Sequence, residues 1–149
     1  IGSVTADVSV GNGAALGPGE SIGAFTANGD VSFQDGSALI VELDGSGNSD
    51  LLAVGGTLDL NGGAQSLYLY PTGGALIPTD YTFLTAASVN GTFEAVYYDN
   101  VLIDDPTVPN SIGNGLRLNY DGTSISVLPE PASAFLLAFG ALALLRRRR

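Results

Sequence analysis

Asp7-Val8-Ser9-Val10-Gly11-Asn12-Gly13-Ala14-Ala15-Leu16 returns 23 residues later as Asp30-Val31-Ser32-Phe33-Gln34-Asp35-Gly36-Ser37-Ala38-Leu39, with six of ten positions identical. A further copy, offset by 27, runs Thr57-Leu58-Asp59-Leu60-Asn61-Gly62-Gly63-Ala64-Gln65-Ser66 and keeps the apolar, polar, apolar triplet and the final glycine. Repeats in this range of periods signal stacked structural units. Within each copy the apolar residues alternate with Ser9, Ser32 or Asp59, the period-two pattern of a strand with one buried face. Asn12-Gly13, Asn28-Gly29, Asp35-Gly36 and Asn61-Gly62-Gly63 supply turns, because these residues reach positive φ at little cost.

Outward from the repeat, further strands are expected at 38–43, 51–54, 66–70, 81–85, 91–98, 115–120 and 124–128, and no helical period appears before Pro131. The body is therefore all-β. A right-handed parallel β-helix needs circuits of twenty to thirty residues with glycine-bearing corners, which the 23 and 27 offsets supply; a β-sandwich, the alternative, needs antiparallel hairpins and no repeat. The chain begins at Ile1 and is read as a β-helix fragment of a longer precursor whose signal peptide lies upstream.

Composition narrows the function. The chain has no Cys, Met, Trp, His or Lys, and residues 1–128 carry fourteen acidic groups against Arg117 alone, a net charge of −13. A nucleic-acid partner is excluded on charge. Without His, Cys or Lys there is no ordinary general base near neutrality, no thiolate and no nitrogen ligand for zinc, so the body does not read as an enzyme. Arg117, in the alternating Leu116-Arg117-Leu118-Asn119-Tyr120, reads as a solvated charge.

The C-terminus has a different character. Leu128 is followed by Pro129, Glu130 and Pro131, an uncharged run over 132–145, and then Arg146, Arg147, Arg148 and Arg149. Seven large apolar residues in the run, Phe135, Leu136, Leu137, Phe139, Leu142, Leu144 and Leu145, favour membrane insertion by roughly 2–4 kcal/mol. As a helix the run spans about 21 Å against a hydrocarbon core near 30 Å, which suits a transient transmembrane helix with its arginines on the cytoplasmic side. The two prolines, lacking amide donors, are expected to impose an extended approach that does not pair into a sheet, and Glu130 to stay out of the membrane.

Pro129-Glu130-Pro131, the apolar run and the arginine cluster together resemble the PEP-CTERM sorting signal of Gram-negative bacteria over residues 128–149, with Leu128 where many members have valine. The resemblance implies recognition by an exosortase, a membrane protease that cleaves near the motif and releases the body to the cell surface or extracellular matrix. It divides the chain into a repetitive body, 1–128, and a sorting signal, 129–149. Within the body, Gly17-Pro18-Gly19-Glu20-Ser21-Ile22 and Ser49-Asp50-Leu51-Leu52-Ala53-Val54-Gly55 look like the β-strand repeat associated with autotransporter passengers, a similarity covering roughly residues 12–70. Tyr81-Thr82-Phe83-Leu84 through Gly91-Thr92-Phe93 looks like the closing segment of such passengers. The outer-membrane barrel of true autotransporters is missing from this sequence.

Three local patterns invite chemistry. Asp44, Ser46, Asn48 and Asp50 place four oxygen-bearing side chains around Gly45 and Gly47, as a Ca2+ loop would, yet Ser49 and Gly55 stand where such a loop needs glycine and a bidentate glutamate. A polar turn capped by Asp50 is the simpler reading. Asp104 and Asp105 suggest an acid and base for glycoside hydrolysis, but neighbours on a strand face opposite ways and Pro106 marks a loop. Asn90-Gly91-Thr92 matches a glycosylation acceptor and equally a turn. The sequence thus predicts an exported, non-enzymatic structural or adhesive protein of the cell envelope or biofilm polysaccharide matrix, held briefly in the inner membrane by its C-terminal helix. No cofactor is expected. The alternatives are a β-helix polysaccharide-active enzyme and a calcium-dependent adhesin.

Overall fold

A computed structural model describes residues 2–77, 79–103, 115–130 and the backbone of 111–113. The strands are β1 (Gly2–Val4), β2 (Val8–Val10), β3 (Ala15–Leu16), β4 (Ala24–Ala27), β5 (Val31–Gln34), β6 (Ala38–Asp44), β7 (Leu51–Val54), β8 (Thr57–Gly62), β9 (Ser66–Thr72), β10 (Tyr81–Thr85), β11 (Ser88–Asn90), β12 (Ala95–Tyr98), β13 (Val101–Leu102), β14 (Ser111–Gly113), β15 (Leu116–Tyr120) and β16 (Ser124–Pro129). They form three sheets, mostly parallel, in the orders β1-β4-β7-β10-β16-β15-β14, β11-β8-β5-β2 and β13-β12-β9-β6-β3. From β1 to β12 the chain visits the first, second and third sheet in rotation, so each circuit lays one strand on each. A two-sheet antiparallel sandwich is not what forms, because the repeats pair with one another in parallel and leave no hairpin between them.

The 23-residue repeat is the register itself: Val8 pairs with Val31, Val10 with Phe33 and Ala15 with Ala38. The next circuit begins 27 residues on, with Val31 opposite Leu58, and then slips. Ser32 faces Asp59 but Gln34 faces Gly62, so β8 carries one extra residue, a bulge. Leu60 stays buried while Asn61 is expelled to the surface, where the Asp59 carboxylate accepts both its backbone and its side-chain N–H, at 3.0 and 2.9 Å. Gly62 is required here, since a Cβ would run into the Phe33 carbonyl and the Gln34 backbone. The slip corrects the sequence alignment. Ser66, aligned there with Leu39, lies opposite Ala38, and Leu67 takes the inward place.

Circuit-to-circuit pairing stacks the apolar residues into columns. Leu39 and Leu67 are fully buried with Val96 beside them, Val41 and Leu69 likewise, and Phe33 meets Phe93 edge-on with ring centroids 6.1 Å apart. Each buried side chain of this size stabilises by roughly 1.5–3 kcal/mol.

Polar residues run up the corners in the same manner. The Asp7 carboxylate accepts the Asp30 amide (2.9 Å), the Asp30 carboxylate accepts the Thr57 amide (2.7 Å), and Ser88 donates to the Thr57 hydroxyl (3.0 Å). At the second corner the Asp35 carboxylate accepts the Ala64 amide at 2.8 Å.

The last circuit is closed by antiparallel strands. β13 turns back on β12, and in the first sheet β16 lies antiparallel to β10 and is followed outward by β15 and β14. The β15–β16 turn reaches β11 and its approach, where Ala86 and Val89 donate to the Thr123 and Gly122 carbonyls. β16 also departs from the expected boundary at 128. It continues through Pro129, opposite Leu116, and the Glu130 amide donates to the Gly115 carbonyl at 2.7 Å, so the first proline is paired within the sheet. The expected helix over 132–145 and the arginines 146–149 lie outside the described residues. Among the described residues no helix is long and apolar enough to cross a membrane.

Inward and outward positions separate sharply in β9. Leu67→Ala is expected to cost about 2–5 kcal/mol, and Ser66→Ala less than about 1 kcal/mol, in urea unfolding. Equal losses would contradict the slipped register.

Candidate functional site

The Asp44–Asp50 loop is held by its own donors. The Asp44 carboxylate accepts the amides of Ser46 and Asn48 through one oxygen, both at 2.8 Å, and the Asn48 side-chain amide through the other, at 2.7 Å. These bonds, the Asn48 side chain first and its backbone second, hold the Asp44 carboxyl below its ordinary range. Asp50 faces elsewhere. It is 1% exposed, and its two oxygens accept the amides of Gly23, one circuit away (2.8 Å), and Glu42 (2.9 Å). The four oxygen-bearing side chains thus do not converge as a ligand set, and the geometry is that of a turn locked by Asp44 and pinned to its neighbours by Asp50. No group of three or more acidic side chains placed to hold a metal occurs among the described residues.

The remaining predicted residues scatter. Pro129 and Glu130 stand at the end of β16, while Pro131 and Arg146, Arg147, Arg148 and Arg149 are outside the described residues, as are Asp104 and Asp105. Arg117 sits on β15 between the buried Leu116 and Leu118, opposite Leu128. Asn90 ends β11, and Gly91, at φ 86°, makes the turn that its sequence suggests.

A surface feature not singled out in the sequence lies on the third sheet. Because Leu67 and Leu69 point inward, Tyr68 and Tyr70 point outward, and pairing sets Tyr97 beside Tyr68. The rings of Tyr68 and Tyr97 stack with centroids 4.6 Å apart and planes 7° from parallel; Tyr70 continues the series at 6.4 Å and 11°. The Tyr70 hydroxyl donates to Asn100 at 2.7 Å, tying the ladder to the β12–β13 turn, where Asp99 and Asn100 both adopt positive φ. Leu102, 52% exposed, pairs with Tyr97 and so shares its face.

Leu102 also lines a cavity of about 380 Å³ with Gln65, Ser66, Glu94 and Ile103. Gln65 is 1% exposed; its Nε2 donates to the Phe33 carbonyl at 3.2 Å while its Oε1 has no donor among the described residues. The sequence signal for this face was the alternation in 66–70 together with the 29-residue separation of Tyr68 from Tyr97. It is visible only once the later circuits are known to be longer than the first.

Asp50→Ala leaves two part-buried amides without an acceptor and is expected to cost about 2–3 kcal/mol, with Asp50→Asn losing about half as much, measured by urea unfolding. In thermal melts the melting point is expected to be unchanged within about 1 °C by millimolar Ca2+ or chelator.

The Asp121 carboxylate accepts the Thr123 and Ser124 amides at 2.8 and 2.6 Å and both hydroxyls, and the Thr123 amide above all holds its pKa at about 2 against an ordinary 3.8. A depressed carboxylate stabilises the fold above its unfolded pKa and loses that contribution as pH falls through the folded value. Stability should therefore decline between about pH 4 and pH 2, and Asp121→Asn should flatten this decline in melts across that window.

Compared with known proteins, the chain matches no protein-family model and no characterised sequence.

Proposed function

We propose that the chain is an exported, surface-sorted structural or adhesive protein of the cell envelope or extracellular polysaccharide matrix. Its body is a right-handed parallel β-helix, and residues 129–149 are a C-terminal sorting signal of PEP-CTERM type. The observation that carries the reading is where the body closes. The antiparallel strands β13 and β14–β16 cover the last circuit, and β16 ends at Pro129, the first residue of the motif. The last described strand thus ends where the proposed tail begins, which suits a cargo released by cleavage.

A non-catalytic role fits the side-chain inventory. In the described body the inward residues are spent on packing, the buried carboxylate of Asp50 on backbone amides, and the corner aspartates on joining circuits. The acidic exterior, with −13 over residues 1–128, keeps the body soluble and away from anionic surfaces. The tail supplies the membrane contact: an apolar helix over 132–145, arginines on the cytoplasmic side, and an exosortase-type protease as partner.

The test is made in a host that carries an exosortase. Wild type should appear at the cell surface shortened by its tail. Glu130→Ala, or removal of Arg146–Arg149, should leave full-length protein in the inner membrane, read by fractionation and intact mass. Equal surface yield of the shortened form from all three would overturn the sorting role.

A further inference from the structure

We infer that the tyrosine ladder and adjoining cavity of the third sheet form a binding site for an uncharged oligosaccharide, a proposal that gives the matrix reading above its point of contact. The site is built on strands, not on a loose loop. Ser66, Tyr68 and Tyr70 stand at alternate positions along β9, with Ala95 and Tyr97 beside the first two on β12 and Leu102 beside Tyr97 on β13. One outward face therefore carries, in order, the cavity and then the rings.

Three properties select the ligand. The first is rigidity: the Tyr68 and Tyr97 rings already stack on one another, and the Tyr70 hydroxyl is anchored to Asn100, so little side-chain freedom is lost on binding. A sugar ring is amphipathic in the same sense as tyrosine. Its C–H face can lie against Leu102 and the outward edges of the tyrosine rings, whose facing surfaces the stack already covers, while its hydroxyls remain free to hydrogen-bond.

The second is the set of polar groups at the cavity. Glu94 offers a carboxylate acceptor, Ser66 a hydroxyl, and Gln65 a buried Oε1 that no donor among the described residues satisfies. An unmatched buried acceptor costs about 1–3 kcal/mol, so the wall at Gln65 is a place where a donor would stabilise. At about 380 Å³ the cavity falls at the low end of the ~300–1,000 Å³ usual for small-molecule sites, a size for one or two sugar rings with the chain continuing over the tyrosines.

The third is charge. Glu94 at the cavity and the net −13 of residues 1–128 repel an anionic glycan, and among the described residues no cationic side chain lines the cavity to offset them. A few convergent polar groups beside an apolar wall, with no positive charge, suit a neutral saccharide.

The experiment uses the intact chain in affinity electrophoresis through gels containing hydroxyethyl cellulose, galactomannan or dextran, with polygalacturonate as the anionic comparison. Titration with cellohexaose and mannohexaose to about 10 mM follows, read by tyrosine fluorescence, since the chain has no tryptophan. At least one neutral polymer should retard the protein and polygalacturonate should not. Tyr97→Ala should weaken binding roughly tenfold or more, Glu94→Gln severalfold, and Tyr97→Phe should retain most of it because the stack survives. Asp59→Asn, on the second sheet, should bind as wild type.

Circular dichroism melts identify any variant that merely unfolds, and for such a variant Glu94→Gln decides. Failure of every neutral probe to retard the protein or move the fluorescence overturns the site. So does retardation that Tyr97→Ala and Glu94→Gln leave intact, or a sedimentation shift showing that the ladder pairs two copies of the chain. Cell fractionation separates this from the broader reading: matrix retention equal for wild type and Tyr97→Ala sinks the site and leaves the sorting role standing.

Discussion

Every strand from β1 to β12 must find a ladder partner in another circuit, because the strands adjacent in sequence lie on different sheets. This is the constraint on which the rest depends. A parallel ladder has no hairpin to set its register, so the register is fixed by what stacks inside and by what bridges at the corners. Inside, columns such as Leu39, Leu67 and Val96 permit no one-residue slip without turning the apolar set outward. At the corners, where the backbone bends and ladder bonds fail, aspartate side chains take over. Asp7, Asp30 and Asp35 each accept an amide of the next circuit, and Asp50 accepts two amides from its surroundings. Corner amides that the ladder cannot reach are thereby satisfied by charge-assisted bonds.

The same constraint explains how the body ends. A parallel stack always leaves one open row of donors and acceptors on its last circuit, an invitation to another chain. Here the polypeptide reverses direction. β13 and β16 pair antiparallel with β12 and β10, and the Gly122 and Thr123 carbonyls take amides at β11 and its approach. The reversal disturbs the simple alternation. β10 carries an irregularity between Thr82 and Leu84, so Phe83 and Leu84 are both buried, with Tyr81 anchoring its hydroxyl on the Asp44 and Ile77 backbones. The first circuit has neighbours on one side only, and Val8 and Leu16 are accordingly less covered than Val31 and Leu39 above them.

How much of this could be read from residues alone follows from where the circuits are equal. Between the first two the spacing is constant at 23, and alignment gives the register directly from Asp7 to Leu39. In the third the bulge at Leu60 and Asn61 adds one residue, and in the fourth the separations grow to 32 for Leu52 and Leu84, 31 for Leu58 and Val89 and 29 for Leu67 and Val96. Identity-based alignment fails at such insertions because the extra residues have no counterpart in the earlier circuits, as with Asn61 in the bulge and Leu76 and Ile77 before β10. The short strands β1, β3, β4, β11, β13 and β14 carry too few alternating residues to announce themselves; they exist because a neighbouring circuit supplies their hydrogen bonds. The Asp44–Asp50 loop was legible as a polar turn. That Asp50 reaches Gly23 was not, since the contact joins residues 27 apart.

The location of the tyrosines is a consequence of stacking rather than an addition to it. Any outward side chain repeated at the circuit spacing becomes a column with neighbours about 4.8 Å apart, and such a column must be made of groups that tolerate one another. Carboxylates in register repel unless each has its own donor, and Asp7 and Asp30 have theirs in the backbone amides of the next circuit. On an open sheet face no such donors are free, because the ladder uses them. Aromatic rings have no such difficulty: they gain from face-to-face contact, so Tyr68 and Tyr97 can occupy one column, with Ile40 completing it on β6. The face that results carries Ile40 and the tyrosines at its centre, with Glu42 opposite Tyr70 and further hydrogen-bonding groups at its edge. A body otherwise clad in acid therefore has one surface suited to a neutral, hydroxyl-rich polymer, placed on the sheet that the β12–β13 turn locks in position through Asn100.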